Sequence, residues 1–151
     1  MTLEALLAYF HLLAIFTMIV FIASEAALCR SEWLNAAAVL RLGKIDMVYG
    51  IAAGAVLLTG AARVVWGIKG GGWYMANPLL HLKITLFVII GLISIKPTLT
   101  IRRWVRAVRA GGALPGEAEV KATRRLVMVQ AHILPLIPLA AVFLARGFGG
   151  K

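Results

Sequence analysis

The sequence is poor in acidic residues, which number only six in 151, and it contains a single cysteine, Cys29. One cysteine excludes an internal disulfide framework, a cysteine-only zinc site and a cysteine-ligated iron–sulfur cluster within one chain. Charged residues of both signs make up 15% of the chain, whereas 62% of its residues are hydrophobic and the mean hydropathy is +0.92. This balance excludes a water-soluble domain and predicts a membrane protein.

The net charge of +10 comes from 16 Lys and Arg residues set against the six acidic ones. In a soluble protein such an excess would suggest a nucleic-acid partner. Here the basic residues lie between apolar blocks, as they do in the cytoplasmic loops of membrane proteins. The pattern therefore predicts membrane lipids as the partner and no nucleic acid.

Four apolar blocks divide the chain, at about residues 3–28, 45–66, 78–95 and 126–145. Each is long enough to cross a hydrocarbon core of roughly 30 Å as a helix. A basic connector at 96–125 joins the third block to the fourth, and too little sequence remains for a soluble catalytic domain. We predict an all-α fold: a polytopic membrane protein with a four-helix transmembrane bundle, forming one domain over residues 1–151.

The basic residues divide unevenly between the two sides of the predicted membrane. The connectors after the first and third blocks hold eleven of them, against Arg63, Lys69, Arg146 and Lys151 on the other side and Lys83 just inside that edge. By the positive-inside rule, both connectors are cytoplasmic and both termini are periplasmic. We expect a multi-pass protein of the bacterial inner (plasma) membrane.

Local signals predict where helices begin and meet. Asn77 followed by Pro78 is typical of an N-cap with proline at the first helical position. Gly50 and Gly54 form a small-xxx-small pair, with Ala53 and Gly60 nearby, which would let another helix approach closely. Neither signal indicates a catalytic or binding role.

Two further segments are unusual. Pro135 and Pro138 interrupt the fourth block, where they free backbone carbonyls. At 97–109, arginines recur at helical spacing beside Trp104, a pattern that fits a helix lying on an anionic lipid surface or plain topological anchoring.

Polar groups at membrane depth are the first candidates for function, because they are costly there unless paired or functional. His11 and Glu25 share one face of the first helix, with the histidine near the outer end and the carboxylate near the inner end. In the third block, His81 and Lys83 point to different faces. Lys83 shares its face with small and polar residues and is the better inward candidate, although it could also extend its ammonium to the interface.

A second layer of polar residues lies towards the cytoplasmic side. His132 lies early in the fourth block, in a different layer from His11, and Glu25, Asp46 and Lys96 gather at the inner ends of the helices. Such a charge cluster can be ion pairing at helix ends, a proton entry site or an anion-binding floor.

Imidazoles on facing helices of a small membrane bundle are a common way to hold a haem iron. His11 as the metal ligand, with Lys83 nearby for a propionate, fits that arrangement, and His81 or His132 are candidates for the second ligand. Zinc is not predicted, since no His-x-x-x-His or Glu-x-x-His spacing occurs.

The strings IDMVYG, GGWYMANP, LKITLF, GLISIKPTLTIRRW and ARGFG resemble a bacterial four-span inner-membrane family classified as domain of unknown function 2214. The resemblance covers nearly the whole chain and implies the architecture without a reaction. More distantly, the layout is similar to the HemJ-type protoporphyrinogen oxidases, which bind haem b. Their functional histidine and lysine would fall on His11 and Lys83, although the first connector, ALCRSEW, departs from their pattern. The layout is also similar to four-helix dihaem cytochromes that pass electrons to quinone.

Our leading hypothesis is a haem-b-binding membrane oxidoreductase. His11, His81 and His132 would bind the cofactor, Lys83 and Glu25 would act in catalysis, and a porphyrin or a quinone would be the substrate. The alternative is a small transporter or an assembly or scaffold protein without a cofactor, in which Glu25, Asp46 and Arg63 relay protons or hold the helices together. A homo-oligomer is left open.

Overall fold

A computed structural model describes residues 2–67 and 70–149, so Lys69 and Lys151 of the charge count lie outside the described residues. Every regular element in these ranges is helical, in agreement with the predicted all-α fold. The elements are α1 (Thr2–Leu28), a 3-10 turn (Ser31–Trp33), α2 (Ala36–Trp66), α3 (Gly71–Ala76), α4 (Pro78–Arg109), α5 (Glu117–Ile133) and α6 (Leu136–Ala145).

Four helical segments are long and apolar enough to cross a membrane, which confirms a polytopic bundle. They are α1, α2, α4, and α5 together with α6. Large apolar side chains cover their outward surfaces, among them Phe16, Leu58, Leu92 and Phe143. Such a surface is unfavourable in water and suits contact with lipid.

The two ends of the bundle differ in charge. The chain alternates in direction, so α1 and α4 end where α2 and α5 begin, and most basic residues lie there. We call this the basic end. At the opposite end the buried Asn77 accepts a hydrogen bond from the Leu79 backbone N–H, with Pro78 at the helix start, which confirms the predicted cap. The Asn77 amide also donates to the Phe148 carbonyl, so this residue ties the C-terminal segment to α4.

The third span continues as one helix well beyond its apolar block. Pro97 lies inside α4, and Arg109 ends the helix just before Gly111, whose φ of +71° turns the chain. Only residues 110–116 separate α4 from α5, so most of the connector at 96–125 is helical. The predicted break at Pro135 is confirmed, because α5 ends at Ile133 and α6 begins only after Pro135, whereas Pro138 lies inside α6 and does not interrupt it.

Trp104 is buried inside the protein, whereas the arginines of this segment are exposed, so contact of the segment with anionic lipid stays a prediction. Trp104 is 3% exposed, and its indole N–H donates to a Glu119 carboxylate oxygen at 3.1 Å. The reason is that α4 runs on into the basic end, where the tryptophan face meets α2 and α5 and the arginines stay exposed. Its cluster contains Cys29, Val39, Leu42, Ile101, Trp104 and Val120.

The small-residue prediction for α2 holds at Gly60 and fails at Gly50 and Gly54. A Cβ added to Gly50 or Gly54 would meet no atom within 4 Å, so no helix approaches there. Close contacts occur instead at Gly43, where Val105 of α4 would lie 2.6 Å from an added Cβ, and at Gly60, where the His11 ring would lie at 3.2 Å. Gly43 therefore faces α4 and Gly60 faces α1, and both lie at least one turn away from Gly50 and Gly54.

Candidate functional site

Two buried carboxylates lie inside the half of the bundle nearer the basic end. Glu25 of α1 is 1% exposed and Asp46 of α2 is 4% exposed. The Oε2 atom of Glu25 is fully buried and has no hydrogen-bond partner among the described residues. An ionised carboxylate in such a place must be compensated by a proton, a cation or a donor, because burying its charge alone is prohibitively costly.

Asp46 is held by a neighbouring helix. Its Oδ1 atom accepts a hydrogen bond of 2.6 Å from the Thr98 hydroxyl of α4. Glu25 lies close enough to Asp46 for the two charges to repel each other. Two neighbouring acidic groups in a low-dielectric interior hold protons as a coupled pair rather than as independent groups.

Tyr49 and Gln130 complete this arrangement. Tyr49 lies nearly one turn after Asp46 on α2, and its hydroxyl donates to the Gln130 side-chain oxygen of α5 at 3.1 Å. The Gln130 amide donates in turn to the Leu126 carbonyl. We call Glu25, Asp46, Tyr49, Thr98 and Gln130 the carboxylate cluster, and it draws side chains from four helices.

A cavity of about 180 Å³ adjoins the carboxylate cluster between α2 and α4. Tyr49 and Thr98 form its polar wall together with Ser94, and Gly50 and Gly91 leave its floor open. The space is sufficient for several water molecules. Thr98 thus touches both the cavity and Asp46, which makes its hydroxyl the direct link between them.

His11 lies in the other half of the bundle. It is buried, and its Nδ1 atom lies 2.8 Å from the Thr59 hydroxyl of α2. The Thr59 hydroxyl also lies 2.6 Å from the Ala55 carbonyl, so it can donate either to that carbonyl or to Nδ1, and the tautomer of the ring decides which. The ring nitrogen that carries no proton in the neutral form has the lone pair that a base or a metal ligand needs.

Two cations accompany His11. Lys83 and Arg63 are partly buried and act electrostatically on the imidazole, and neither is in an ion pair within the described part of the chain. We call His11, Thr59, Arg63 and Lys83 the histidine cluster. Among residues 2–67 and 70–149, no carboxylate forms an ion pair with this cluster, and its cations lie near the helix ends, where long side chains can reach the interface.

His81 and His132 do not join His11. Both are exposed: the His81 ring bonds the Met75 carbonyl at 2.8 Å, and the His132 ring bonds the Met128 carbonyl of its own helix at 2.6 Å. Among residues 2–67 and 70–149, no three His, Cys, Asp or Glu side chains gather as metal ligands.

Two features of the described interior bear on the haem prediction. His11 is its only buried histidine, and the 180 Å³ cavity is bordered by Met18 and Tyr49 rather than by His11. That volume is below the roughly 300–1,000 Å³ of usual small-molecule pockets. A haem bound inside the described bundle would therefore have His11 as its histidine ligand.

The sequence analysis missed three members of the carboxylate cluster, namely Tyr49, Thr98 and Gln130. Gln130 carried a usable signal, because an amide at membrane depth needs partners as much as a carboxylate does. Thr98 lies just after the apolar block, and Tyr49 resembles an ordinary apolar residue of α2. Only the packing of the helices brings these two to the carboxylates.

Comparison with known proteins gives one match. The model of the family described as predicted membrane protein (DUF2214) matches residues 3–149. No curated protein and no solved structure matches the chain. The similarity to HemJ-type oxidases therefore stays a prediction.

Proposed function

The chain belongs to the DUF2214 family of membrane proteins, and we propose that it binds and transfers protons through the carboxylate cluster, as a small proton-coupled membrane carrier. The observation that carries this proposal is the buried, unpartnered Oε2 of Glu25 beside Asp46. Ionisable groups inside membrane helices most often mark ion or proton pathways.

The proposed route enters from the cavity between α2 and α4. Water in that cavity would exchange a proton with Asp46 through the Thr98 hydroxyl, which already donates to the carboxylate. Glu25 would then exchange the proton with Asp46, with which it interacts electrostatically. Tyr49 and Gln130 position the helices around the pair and hold the cluster away from lipid.

We further propose that the basic end lies in the cytoplasm and that the protein is located in the bacterial inner membrane, with periplasmic termini. The positive-inside rule supports this orientation, because basic residues are concentrated where α1 and α4 end. The carboxylate cluster would then lie in the cytoplasmic half.

The test is proton flux into vesicles that contain the purified protein and a trapped pH-sensitive dye. With a potassium diffusion potential applied, the wild-type protein should change the internal pH faster than empty vesicles. Glu25→Gln keeps the size of the side chain and removes its titration, so it should bring the rate to the background. Glu117→Gln alters an exposed carboxylate paired with Lys121 and is the matched control.

Two results would refute the proton proposal. One is a wild-type rate equal to that of empty vesicles, with and without an added substrate gradient. The other is an unchanged rate in Glu25→Gln. Circular dichroism and gel filtration should show that both variants are folded, because an uncharged amide in place of a buried carboxyl group does not leave a charge unpaired.

The haem-b oxidoreductase predicted from the sequence is the second candidate, and the buried His11, with Lys83 acting electrostatically on its ring, favours it. A reduced-minus-oxidised spectrum of the purified protein tests it. A haem band lost in His11→Ala and kept in His132→Ala would support it, with porphyrin or quinone as substrate. Colourless, stable protein expressed with a haem precursor would exclude it.

A further inference from the structure

A second cavity, of about 170 Å³, lies at the basic end and shares no lining residue with the cavity between α2 and α4. It is formed where α1 ends, where the 3-10 turn follows and where α5 begins. Cys29 is one of its lining residues, and Arg30, Lys121 and Arg124 are its cationic lining residues. Glu32 is the carboxylate in this lining.

Both arginines of this cavity are oriented by uncharged partners. Arg124 donates from Nε to the Ala26 carbonyl at 3.2 Å, which leaves its terminal nitrogens for another acceptor. The Arg30 guanidinium lies 5.2 Å from the centre of the Trp33 ring. Within the part of the chain that the structure describes, neither arginine forms an ion pair.

The charge of the lining is not cancelled. Lys121 is in an ion pair with Glu117 at 2.5 Å, on the same helix. Glu32 offsets one of the two remaining positive charges and acts electrostatically on Lys121. Arg30 and Arg124 together with Glu32 therefore leave the cavity positive, and a second anion would be attracted to it.

We propose that this cavity binds a phosphate group through Arg30 and Arg124, and that an anionic phospholipid headgroup supplies it. Guanidinium groups suit phosphate because their N–H groups form paired, charge-assisted hydrogen bonds. The volume suits one phosphate with part of a headgroup and is too small for a nucleotide-sized ligand. The cavity lies where helices leave the apolar zone, at headgroup depth.

The general positive charge of this end would attract anionic lipid without any site, so the test must separate a site from a surface. Arg125 follows Arg124 on α5, is exposed and does not line the cavity. Arg125→Gln therefore removes the same charge at nearly the same place. Arg30→Gln and Arg124→Gln remove a guanidinium of the cavity.

The measurement is retention of phosphatidylglycerol by native mass spectrometry, after titration of protein in detergent with this lipid or with phosphatidylcholine. We expect one tightly held phosphatidylglycerol per chain. Arg30→Gln and Arg124→Gln should each weaken its apparent affinity by about tenfold or more. Arg125→Gln should weaken it by about fivefold at most, the loss expected for one basic residue near a membrane surface.

Inorganic phosphate added to lipid-free protein distinguishes the source of the anion. Saturable binding of phosphate that is lost in Arg124→Gln, without preference between the two lipids, would keep the site and overturn its assignment to a headgroup. Equal losses in Arg124→Gln and Arg125→Gln, or binding of neither anion, would overturn the site itself. Arg30→Gln breaks no hydrogen bond within the described residues, so it reports binding even where Arg124→Gln is poorly folded.

Discussion

The carboxylate cluster and the histidine cluster occupy opposite halves of one bundle and differ in how their groups are paired. In the carboxylate cluster, hydrogen bonds link α2 to α4 and α2 to α5, and Glu25 is fully enclosed with one oxygen unpaired. In the histidine cluster, His11 bonds Thr59 of α2, and the neighbouring cations are only partly buried. Chemistry that needs a desolvated proton site is therefore better supported at the carboxylates than at the histidine.

A matched pair of threonine substitutions is the strongest test of this difference between the two clusters. Thr98→Val leaves a buried Asp46 oxygen without its donor, and a hydrogen bond to such a group contributes about 1.5–3 kcal/mol. Thr59→Val removes a neutral hydrogen bond to His11, which contributes about 1 kcal/mol. We expect Thr98→Val to lower the free energy of unfolding in mixed micelles by about 2 kcal/mol, roughly twice the effect of Thr59→Val.

The two valine variants have the same change in shape, so each is the control for the other. A larger loss of unfolding free energy in Thr59→Val would mean that His11 depends more strongly on its hydrogen bond than Asp46 does. The difference drawn between the two clusters would then be reversed. Equal, small losses would mean that Asp46 is satisfied without Thr98.

The sequence predicted the fold because the apolar blocks are long and the helix signals at Asn77, Pro78 and Pro135 are local. It also located Glu25 and Asp46, since carboxylates at membrane depth are conspicuous. What it could not supply was the partner of each group. Thr98 is brought to Asp46 only by the packing of α4 on α2, across a sequence distance of about fifty residues.

The unexpected surroundings of Gly50, Gly54 and Trp104 have a common physical origin. Gly50, Gly54 and Trp104 belong to patterns that indicate a face, and the sequence does not specify which helix, if any, covers that face. A small-xxx-small pair permits close packing without requiring it. Trp104 fits a lipid interface by composition, but α4 extends far enough to bury it against α2 and α5.

A smaller effect is expected at the glycine on which His11 packs. Gly60→Ala places a methyl group 3.2 Å from the imidazole Cε1 and should displace the ring. Gly54→Ala adds the same methyl group to the same helix in open space and should be neutral or stabilising by about 0.5–1 kcal/mol, because alanine favours helices. We expect Gly60→Ala to be about 1 kcal/mol less stable than Gly54→Ala in mixed micelles.

Proton flux gives a functional readout for the variants Gly60→Ala and Gly54→Ala. Since His11 lies outside the carboxylate cluster, Gly60→Ala should leave proton flux close to that of the wild type. Flux abolished in the folded Gly60→Ala protein would show that the histidine cluster belongs to the route. Indistinguishable stabilities of the two alanine variants would show that the His11 ring moves without cost.

The smallest effect concerns Cys29, which lies beyond the end of α1, next to the carboxylate cluster, and has no exposed surface. Burial raises the pKa of its thiol to about 11, with a further contribution from Glu25. The thiol is therefore protonated at pH 8, and because the thiolate is the reactive form, alkylation should be slow there and should accelerate as the pH approaches 11. Mass spectrometry of the maleimide-treated protein, with SDS-unfolded protein as the control, measures this rate.

Rapid labelling of the folded chain at pH 8 would show that the basic end opens readily. Water would then reach Glu25 from that end rather than through the cavity between α2 and α4, and the difference between the two clusters would lie in their access to water rather than in their pairing.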